Sequence, residues 1–156
     1  MTVRMSGGQT CSSELIVELE RQLGFSLPSA FREYVATNDG AKPDCNTFKV
    51  GVDNAAGVNR FIPVSEIHGE MQYLEPLGSR SFPIAWADGG NYVLIDMDSG
   101  GSVYFWDHEL RDNRFKLTDG FDEFLELLES FDLNSVQLKP GQTISAWIDP
   151  EFLNNL

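Results

Sequence analysis

The sequence contains little positive charge. Its 11 lysine and arginine residues stand against 24 aspartate and glutamate residues, which gives a formal net charge of -13 at pH 7. Binding to nucleic acid needs a positive surface that displaces the counterions around phosphates. The composition therefore predicts no nucleic-acid partner. It leaves open either a surface kept soluble by charge repulsion or an acidic surface that attracts a basic partner.

Cysteine is also scarce, and no long apolar run is present. Cys11 and Cys45 are the only cysteines, and neither lies in a Cys-x-x-Cys or other metal spacing. No apolar segment of signal-peptide length follows the N-terminus, and no stretch approaches the roughly 18 apolar residues of a membrane-spanning helix. These absences predict reduced cysteines, a cytoplasmic location and no membrane partner.

The length and composition predict one globular domain. The chain has 156 residues, of which 42% are hydrophobic and 12% aromatic, enough to bury a core without disulfides. Residues 1–11 are rich in small and polar types, and we expect a loose N-terminal arm there. Residues 12–131 carry the regular patterns of the domain. Residues 132–156 are predicted to form a C-terminal tail that docks on the domain through its apolar side chains.

Apolar spacing predicts three main helices. Ser12 and Ser13 are suitable caps for a helix that extends to about Leu23. A second helix is predicted within 28–40, where a proline opens the first turn, and a third over 121–131. Among the apolar positions, five are expected to lie beneath the helices. They are Leu15, Leu19, Phe31, Phe124 and Leu128.

A β-hairpin is the clearest strand prediction. The apolar runs 92–96 and 103–107 are separated by the Asp-Ser-Gly-Gly segment 98–101, which is typical of strand, turn and strand. Both runs are continuous rather than alternating, so we expect both faces of the hairpin to be covered. The hairpin is therefore predicted near the centre of a sheet.

Shorter patterns complete the predicted fold. Residues 47–50 and 60–64 are predicted strands separated by a loop over 51–59, and Ser65 is predicted to cap a short helix. Residues 115–117 add a further strand. Helices segregated from a mostly antiparallel sheet define the predicted class as α+β, in a single domain.

Residues suited to catalysis occur near the end of the hairpin. Asp96, Asp107, His108 and Glu109 are the residue types of acid–base chemistry and metal ligation. Adjacent strand residues point to opposite faces, however, so Asp107 and His108 diverge. The prediction is that His108 caps the strand end by hydrogen bonding. The glycine-rich segments lack the lysine and the glycine spacing of a phosphate loop, so no cofactor and no catalytic metal are predicted.

Several segments resemble a known family when taken in order. They are Pro83-Ile84-Ala85, Gly89-Gly90-Asn91-Tyr92, Asp96 and Val103-Tyr104-Phe105-Trp106-Asp107-His108-Glu109, with the opening helices and the Phe-Asp-Glu-Phe-Leu-Glu-Leu-Leu helix that starts at Phe121. This ordered set resembles the SUKH superfamily. That superfamily includes bacterial toxin-immunity proteins and fungal Smi/Knr cell-wall regulators. Asp39, where the family usually has glycine, is a departure from the pattern.

The resemblance implies a binding protein and not an enzyme. The expected function is that of an immunity protein, which binds and neutralises a cognate toxin domain, of a basic nuclease type given the acidic surface. A regulatory scaffold of the Smi/Knr type is the first alternative, and an enzyme of unknown class is the second. Six acidic residues at predicted turns, strand ends and flanks are the expected partner-binding positions. They are Asp88, Asp98, Glu109, Asp112, Asp107 and Glu70.

Overall fold

Four α-helices and eight β-strands make up the described part of the chain, residues 3–74, 80–110 and 114–130, in this computed structural model. The helices are α1 (Ser13–Leu23), α2 (Ser29–Asn38), α3 (Val64–Glu70) and α4 (Phe121–Leu127). The strands are β1 (Met5–Ser6), β2 (Lys42–Pro43), β3 (Thr47–Val50), β4 (Asn54–Phe61), β5 (Ser81–Ala87), β6 (Asn91–Asp96), β7 (Ser102–Trp106) and β8 (Arg114–Thr118). The predicted α+β class is confirmed. The predicted C-terminal tail lies outside the described residues.

The main sheet contains six strands in chain order. Strands β3 to β8 each pair antiparallel with the next, and β1 and β2 form a separate two-stranded sheet. The predicted hairpin is confirmed as β6 and β7, with Tyr92 opposite Trp106 and Ile95 opposite Val103. It is the fourth and fifth of six strands. No helix among the described residues is long and apolar enough to cross a membrane.

The N-terminal arm makes backbone contacts. Besides the pairing of β1 with β2, the Gln9 N–H donates to the Asp39 carbonyl at 3.0 Å, and the Cys11 N–H donates to the Ala36 carbonyl at 3.0 Å. These bonds join the arm to α2 and the chain that follows it. The predicted domain boundary at residue 11 stays a prediction.

Aromatic side chains form the core between the sheet and the helices. The Phe31 ring of α2 lies 5.8 Å from Phe82 and 5.2 Å from Phe121, measured between centroids. The Phe48 ring of β3 lies 5.8 Å from both Phe105 and Phe124. Because the sheet alternates, the residues of β6 and β7 that share this face include Val93 and Ile95, while Tyr92 and Leu94 lie on the other face.

Helix α1 begins as predicted but buries a different stripe. The Ser12 hydroxyl accepts a hydrogen bond from the Leu15 N–H, and Gly24 ends the helix. Ile16 and Leu19 are buried, whereas Leu15 is 42% exposed. The prediction that Leu15 is buried was wrong, because neighbouring helical residues point about 100° apart and Ile16 occupies the inner position. The other four predicted core residues are buried.

Three predicted boundaries were wrong. The segment predicted as a loop, 51–59, contains a turn over 51–53 and most of β4. Its Asn-Ala-Ala-Gly start has no strand pattern, and pairing with β3 across the turn supplies the strand geometry. Helix α3 begins at Val64, whose N–H donates to the Asp39 carboxylate at 2.7 Å, and not after a Ser65 cap. Helix α4 ends at Leu127 because Glu129 pairs with Thr47 of β3.

The buried carboxylate of Asp96 lies at the turn between β6 and β7 of the hairpin. The Asp96 Oδ1 atom accepts from the Asp98 N–H at 2.9 Å, and its Oδ2 atom accepts from the Ser99 hydroxyl and from Arg114 Nη2, both at 3.1 Å. Burial acts to raise the pKa of Asp96, but these hydrogen bonds and the Arg114 charge outweigh it. The pKa of Asp96 is therefore lower than its ordinary value of 3.8.

Replacing Asp96 by Asn is expected to lower the free energy of unfolding at pH 7 by about 1–3 kcal/mol, because Arg114 loses its charged acceptor. Because the pKa of Asp96 is lower in the folded state than in the unfolded state, its carboxylate stabilises the fold above the unfolded pKa of roughly 3.9. This stabilisation is lost as the pH falls through the folded pKa. Urea unfolding at pH 7 and pH 3 checks this. The deficit of the variant should shrink at pH 3, and a deficit that is constant with pH would contradict the assignment.

Candidate partner-binding cleft

One end of the sheet forms a cleft of about 540 Å³. The β3–β4 turn lies on one side of its opening. The start of β6, the end of β7 and the start of β8 lie on the other side. We call it the acidic cleft, because Asp53, Asp88 and Asp107 line it. Two of these, Asp88 and Asp107, are predicted partner-binding residues that lie 19 positions apart in the sequence. The fold brings them to one site because both lie at the same end of the β6–β7 hairpin.

The position of Asp88 depends on close contact with β4. Gly57 is buried, and a Cβ atom at Gly57 would lie 2.9 Å from the Asp88 Oδ2 atom and 3.1 Å from the Asn46 side-chain nitrogen. The absence of a side chain therefore leaves room for the Asp88 carboxylate. After Asp88 the chain turns into β6 through Gly89 and Gly90, whose φ angles of 73° and 81° favour glycine.

Replacing Gly57 by Ala is expected to displace the Asp88 carboxylate, since the added methyl group occupies its place. Because Asp88 is an exposed side chain that can rotate away, the free energy of unfolding should change by less than about 1 kcal/mol. Binding of a basic partner should weaken as much as it does in Asp88→Asn. Gly69→Ala is the control, because a Cβ there meets nothing within 4 Å. Equal binding by both alanine variants would contradict this account of Gly57.

Asp107 and Glu109 lie together where β7 ends. The Asp107 Oδ1 atom accepts from the Glu109 N–H at 2.9 Å, which fixes the carboxylate at the cleft. His108 lies beside them, and its backbone N–H and its Nδ1 atom contact Asn91 Oδ1 at 3.0 Å and 2.7 Å. Because that oxygen is an acceptor, His108 donates from Nδ1. This geometry is the hydrogen-bonded strand end predicted for His108.

The electrostatic character of the acidic cleft is negative. Among the residues that the structure describes, its lining contains three aspartates and neither lysine nor arginine. No cation in the described part of the chain forms a salt bridge with the three aspartates or with Glu109. The salt bridges of the described residues lie elsewhere, and their cations are Arg21, Arg32, Arg80, Arg114 and Lys116. Carboxylates on a lining whose described residues include no cation give a site of negative potential.

Apolar side chains surround these carboxylates. Val52 at the β3–β4 turn is 96% exposed and Leu110 is 50% exposed. The lining also includes Phe115, which is 38% exposed, and the buried Phe105. Exposed apolar groups around a polar centre are typical of surfaces that bind another molecule.

The remaining predicted site residues lie elsewhere. Asp98 is in the turn at the other end of the hairpin, about 17 Å away at 3.3 Å per strand residue, and its carboxylate lies 3.8 Å from Arg80. Glu70 is half-buried on the face opposite Phe105, where its Oε2 atom accepts from Trp86 Nε1 at 2.9 Å and from the Tyr92 hydroxyl at 2.7 Å. Burial, and then the hydrogen bond that the Tyr92 hydroxyl donates to Glu70, raise the pKa of Tyr92. Asp112 lies outside the described residues.

The catalytic alternative gains no geometric support. Asp96 is at the far end of the hairpin from Asp107, His108 and Glu109, so these four residues do not form one site. Within residues 3–74, 80–110 and 114–130, no three His, Cys, Asp or Glu side chains are grouped so that they could hold a metal ion.

Sequence reasoning missed part of the cleft. Asp53 and Val52 belong to a segment predicted only as a loop, and Gly57 was not singled out. The Val-Asp-Asn turn between two paired strands was a usable signal for Asp53, but it required recognising β4. Phe115 was predicted as a strand residue without a role in binding.

Comparison with known proteins identifies the family. The family model of the SMI1 / KNR4 family (SUKH-1) matches residues 10–127, and it therefore spans the six-stranded sheet, all four helices and the acidic cleft. The chain is also 25% identical over 140 residues to the SPbeta prophage-derived uncharacterized protein YokK of Bacillus subtilis (strain 168), an alignment that covers 73% of this chain and 72% of that protein. The resemblance inferred from the sequence is confirmed, and the chain belongs to the SMI1 / KNR4 family (SUKH-1).

Proposed function

We propose that this protein is an immunity protein that acts in the cytoplasm, where it binds a cognate toxin domain with a basic surface and neutralises it. Domains of its family are generally non-enzymatic immunity or regulatory domains. The observation that carries the proposal is the acidic cleft, in which carboxylates unpaired with described cations lie among exposed apolar side chains. This combination suits a basic protein surface better than it suits a substrate.

The proposed mechanism is stoichiometric binding. The net charge of -13 attracts a basic domain over the distance allowed by screening, about 8–10 Å at physiological salt. Asp88, Asp107 and Glu109 at the cleft end then pair with its cations, and the apolar residues exclude water from those pairs. The toxin is inactivated because its active or substrate-binding surface is covered.

The six predicted contact residues have three different roles under this proposal. Asp88, Asp107 and Glu109 form the main contact at the acidic cleft. Asp98 and Asp112 contribute to the negative field that speeds encounter. Glu70 supports the site from the opposite face through its bonds to Trp86 and Tyr92. Rim charges act mainly on the association rate, while desolvated pairs at the centre act on dissociation.

Binding to the product of a neighbouring gene tests the function. The candidate partner is a C-terminal toxin domain encoded beside this chain, produced in a form inactivated at its own active site. Association should exceed the neutral range of roughly 10⁵–10⁶ per molar per second at low salt and fall as salt is added. Co-production with the active toxin domain should restore growth of the host cell.

Two outcomes would overturn the proposal. One is a neighbouring toxin domain that kills equally well with and without this chain. The other is a gene neighbourhood that encodes no toxin domain, together with capture of host regulatory proteins by the purified chain. That second result would favour the regulatory scaffold.

A further inference from the structure

The acidic cleft has the chemistry of a receptor for one kind of side chain. We infer that it takes an arginine of the partner, presented on a short segment whose neighbouring residues are apolar. The inference deepens the proposed function and rests on it for the identity of the partner.

The volume fits a peptide segment. Ligand clefts commonly enclose about 300–1,000 Å³, and the acidic cleft, at about 540 Å³, is larger than any one side chain requires. The exposed Val52 and Leu110 lie on the two sides of the opening and can cover the apolar neighbours of a central cation. A free metal ion or a lone ammonium group would leave these side chains uncovered.

The charge of the lining favours a cationic occupant. Asp53, Asp88 and Asp107 line one concave space, and no described cation pairs with them. A cationic side chain from a partner would be complementary in charge to this lining. Charge complementarity is therefore the basis of recognition.

The aromatic residues favour arginine over lysine. Phe115 lines the cleft and is 38% exposed, whereas Phe105 is buried against Phe48. A guanidinium group can stack on the Phe115 ring while its N–H groups donate to carboxylates. The chain contains this arrangement internally. The Arg114 guanidinium lies 4.9 Å from the centroid of the Tyr104 ring and bonds to Asp96, and Arg80 lies 5.6 Å from the centroid of the Phe25 ring and pairs with Asp98.

A peptide titration tests the inference without the toxin. The full chain, labelled with ¹⁵N, is titrated with acetyl-Leu-Arg-Leu-amide, and then with the lysine peptide and with the uncharged citrulline peptide of the same shape. Only the arginine peptide should move the amide signals of Asp88, Gly89, Asn91 and Leu110 strongly. Its dissociation constant is expected near the millimolar range, with the lysine peptide at least about fivefold weaker.

Variants locate the binding. Asp88→Asn with Asp107→Asn should weaken binding of the arginine peptide at least about tenfold. Glu33→Gln with Glu126→Gln removes the same charge from exposed helix positions and should leave it unchanged. The inference is overturned if the citrulline peptide binds equally well, if the affected amides lie outside the cleft, or if no signal moves at about 10 mM peptide.

Two results would separate a failure of the arginine receptor from a failure of the immunity function. A toxin domain that binds the wild-type chain and the double asparagine variant with equal affinity would overturn the arginine receptor and leave the immunity function standing. If the cleft binds the arginine peptide but the chain binds no neighbouring toxin domain, the arginine receptor stands and the immunity function is overturned.

Discussion

Reversing Asp88 and Asp107 to lysine is expected to slow association with the toxin domain by about 100-fold at low salt. Electrostatic steering raises association rates by roughly 10- to 1,000-fold, and the effect changes sign when the charge at the contact site changes sign. The two substitutions change the local charge where the lining contains three aspartates and no described cation. Stopped-flow or surface-based kinetics at low ionic strength, repeated at higher salt, provide the measurement.

The matched control separates local from global charge. Glu33→Lys with Glu126→Lys changes the net charge by the same amount at exposed positions of α2 and α4, and should slow association only slightly. Thermal stability should be similar in both double variants, because the four side chains are not buried. Equal slowing in both would mean that net charge, and not the acidic cleft, governs encounter. Unchanged association in the cleft variant would exclude the cleft as the contact.

Replacing Phe48 by Ala is expected to lower the free energy of unfolding by about 3–5 kcal/mol, the range for truncation of a buried phenylalanine. Phe48 is 2% exposed, and its ring makes edge contacts with Phe105 of β7 and Phe124 of α4. The cavity would therefore lie where three elements meet. Urea denaturation followed by tryptophan fluorescence measures the change.

Tyr73→Ala is the control for Phe48→Ala, because Tyr73 is 63% exposed and its loss should change stability by about 0.5 kcal/mol or less. A cost below about 1 kcal/mol for Phe48→Ala would mean that the core closes around the missing ring or that Phe48 is not packed as described. An altered denaturant dependence would indicate a changed unfolded state.

Local patterns were sufficient for much of the fold. The β6–β7 hairpin, α1 with its Ser12 cap and the buried Phe31 were predicted because apolar periodicity and cap residues act within a few positions of the chain. The first six residues of strand β4 were missed because Asn54 to Gly57 have weak strand preference, and their pairing with β3 determines their conformation. The last two residues of β4 fall within the predicted strand 60–64. Leu15 was misplaced because an apolar stripe two residues wide does not show which edge faces the core.

The site was less accessible to sequence reasoning. Asp88 and Asp107 were predicted as contact residues because they follow strand and turn signals, and the structure places them on one cleft. That Asp53 joins them depends on the β3–β4 turn reaching the same end of the sheet. Strand direction places Asp98 at the opposite end of the hairpin from the cleft, and the sheet face determines that Glu70 bonds to two aromatic residues. Predicting either would require the pairing register of the whole sheet.

The chain order of the six-stranded sheet bears on how fast the protein folds. Each of its strand pairs joins neighbours in the sequence. Four of the five pairings close over seven residues or fewer and lose little chain entropy, whereas β4 and β5 are joined by residues 62–80, which include α3. Folding rates fall as contacts become more distant along the chain. Such a sheet can grow strand by strand from a hairpin, without waiting for a long-range crossover. Under the proposed immunity function, the chain must be folded before an incoming toxin acts, and a sheet in which most strand pairings are local suits that requirement.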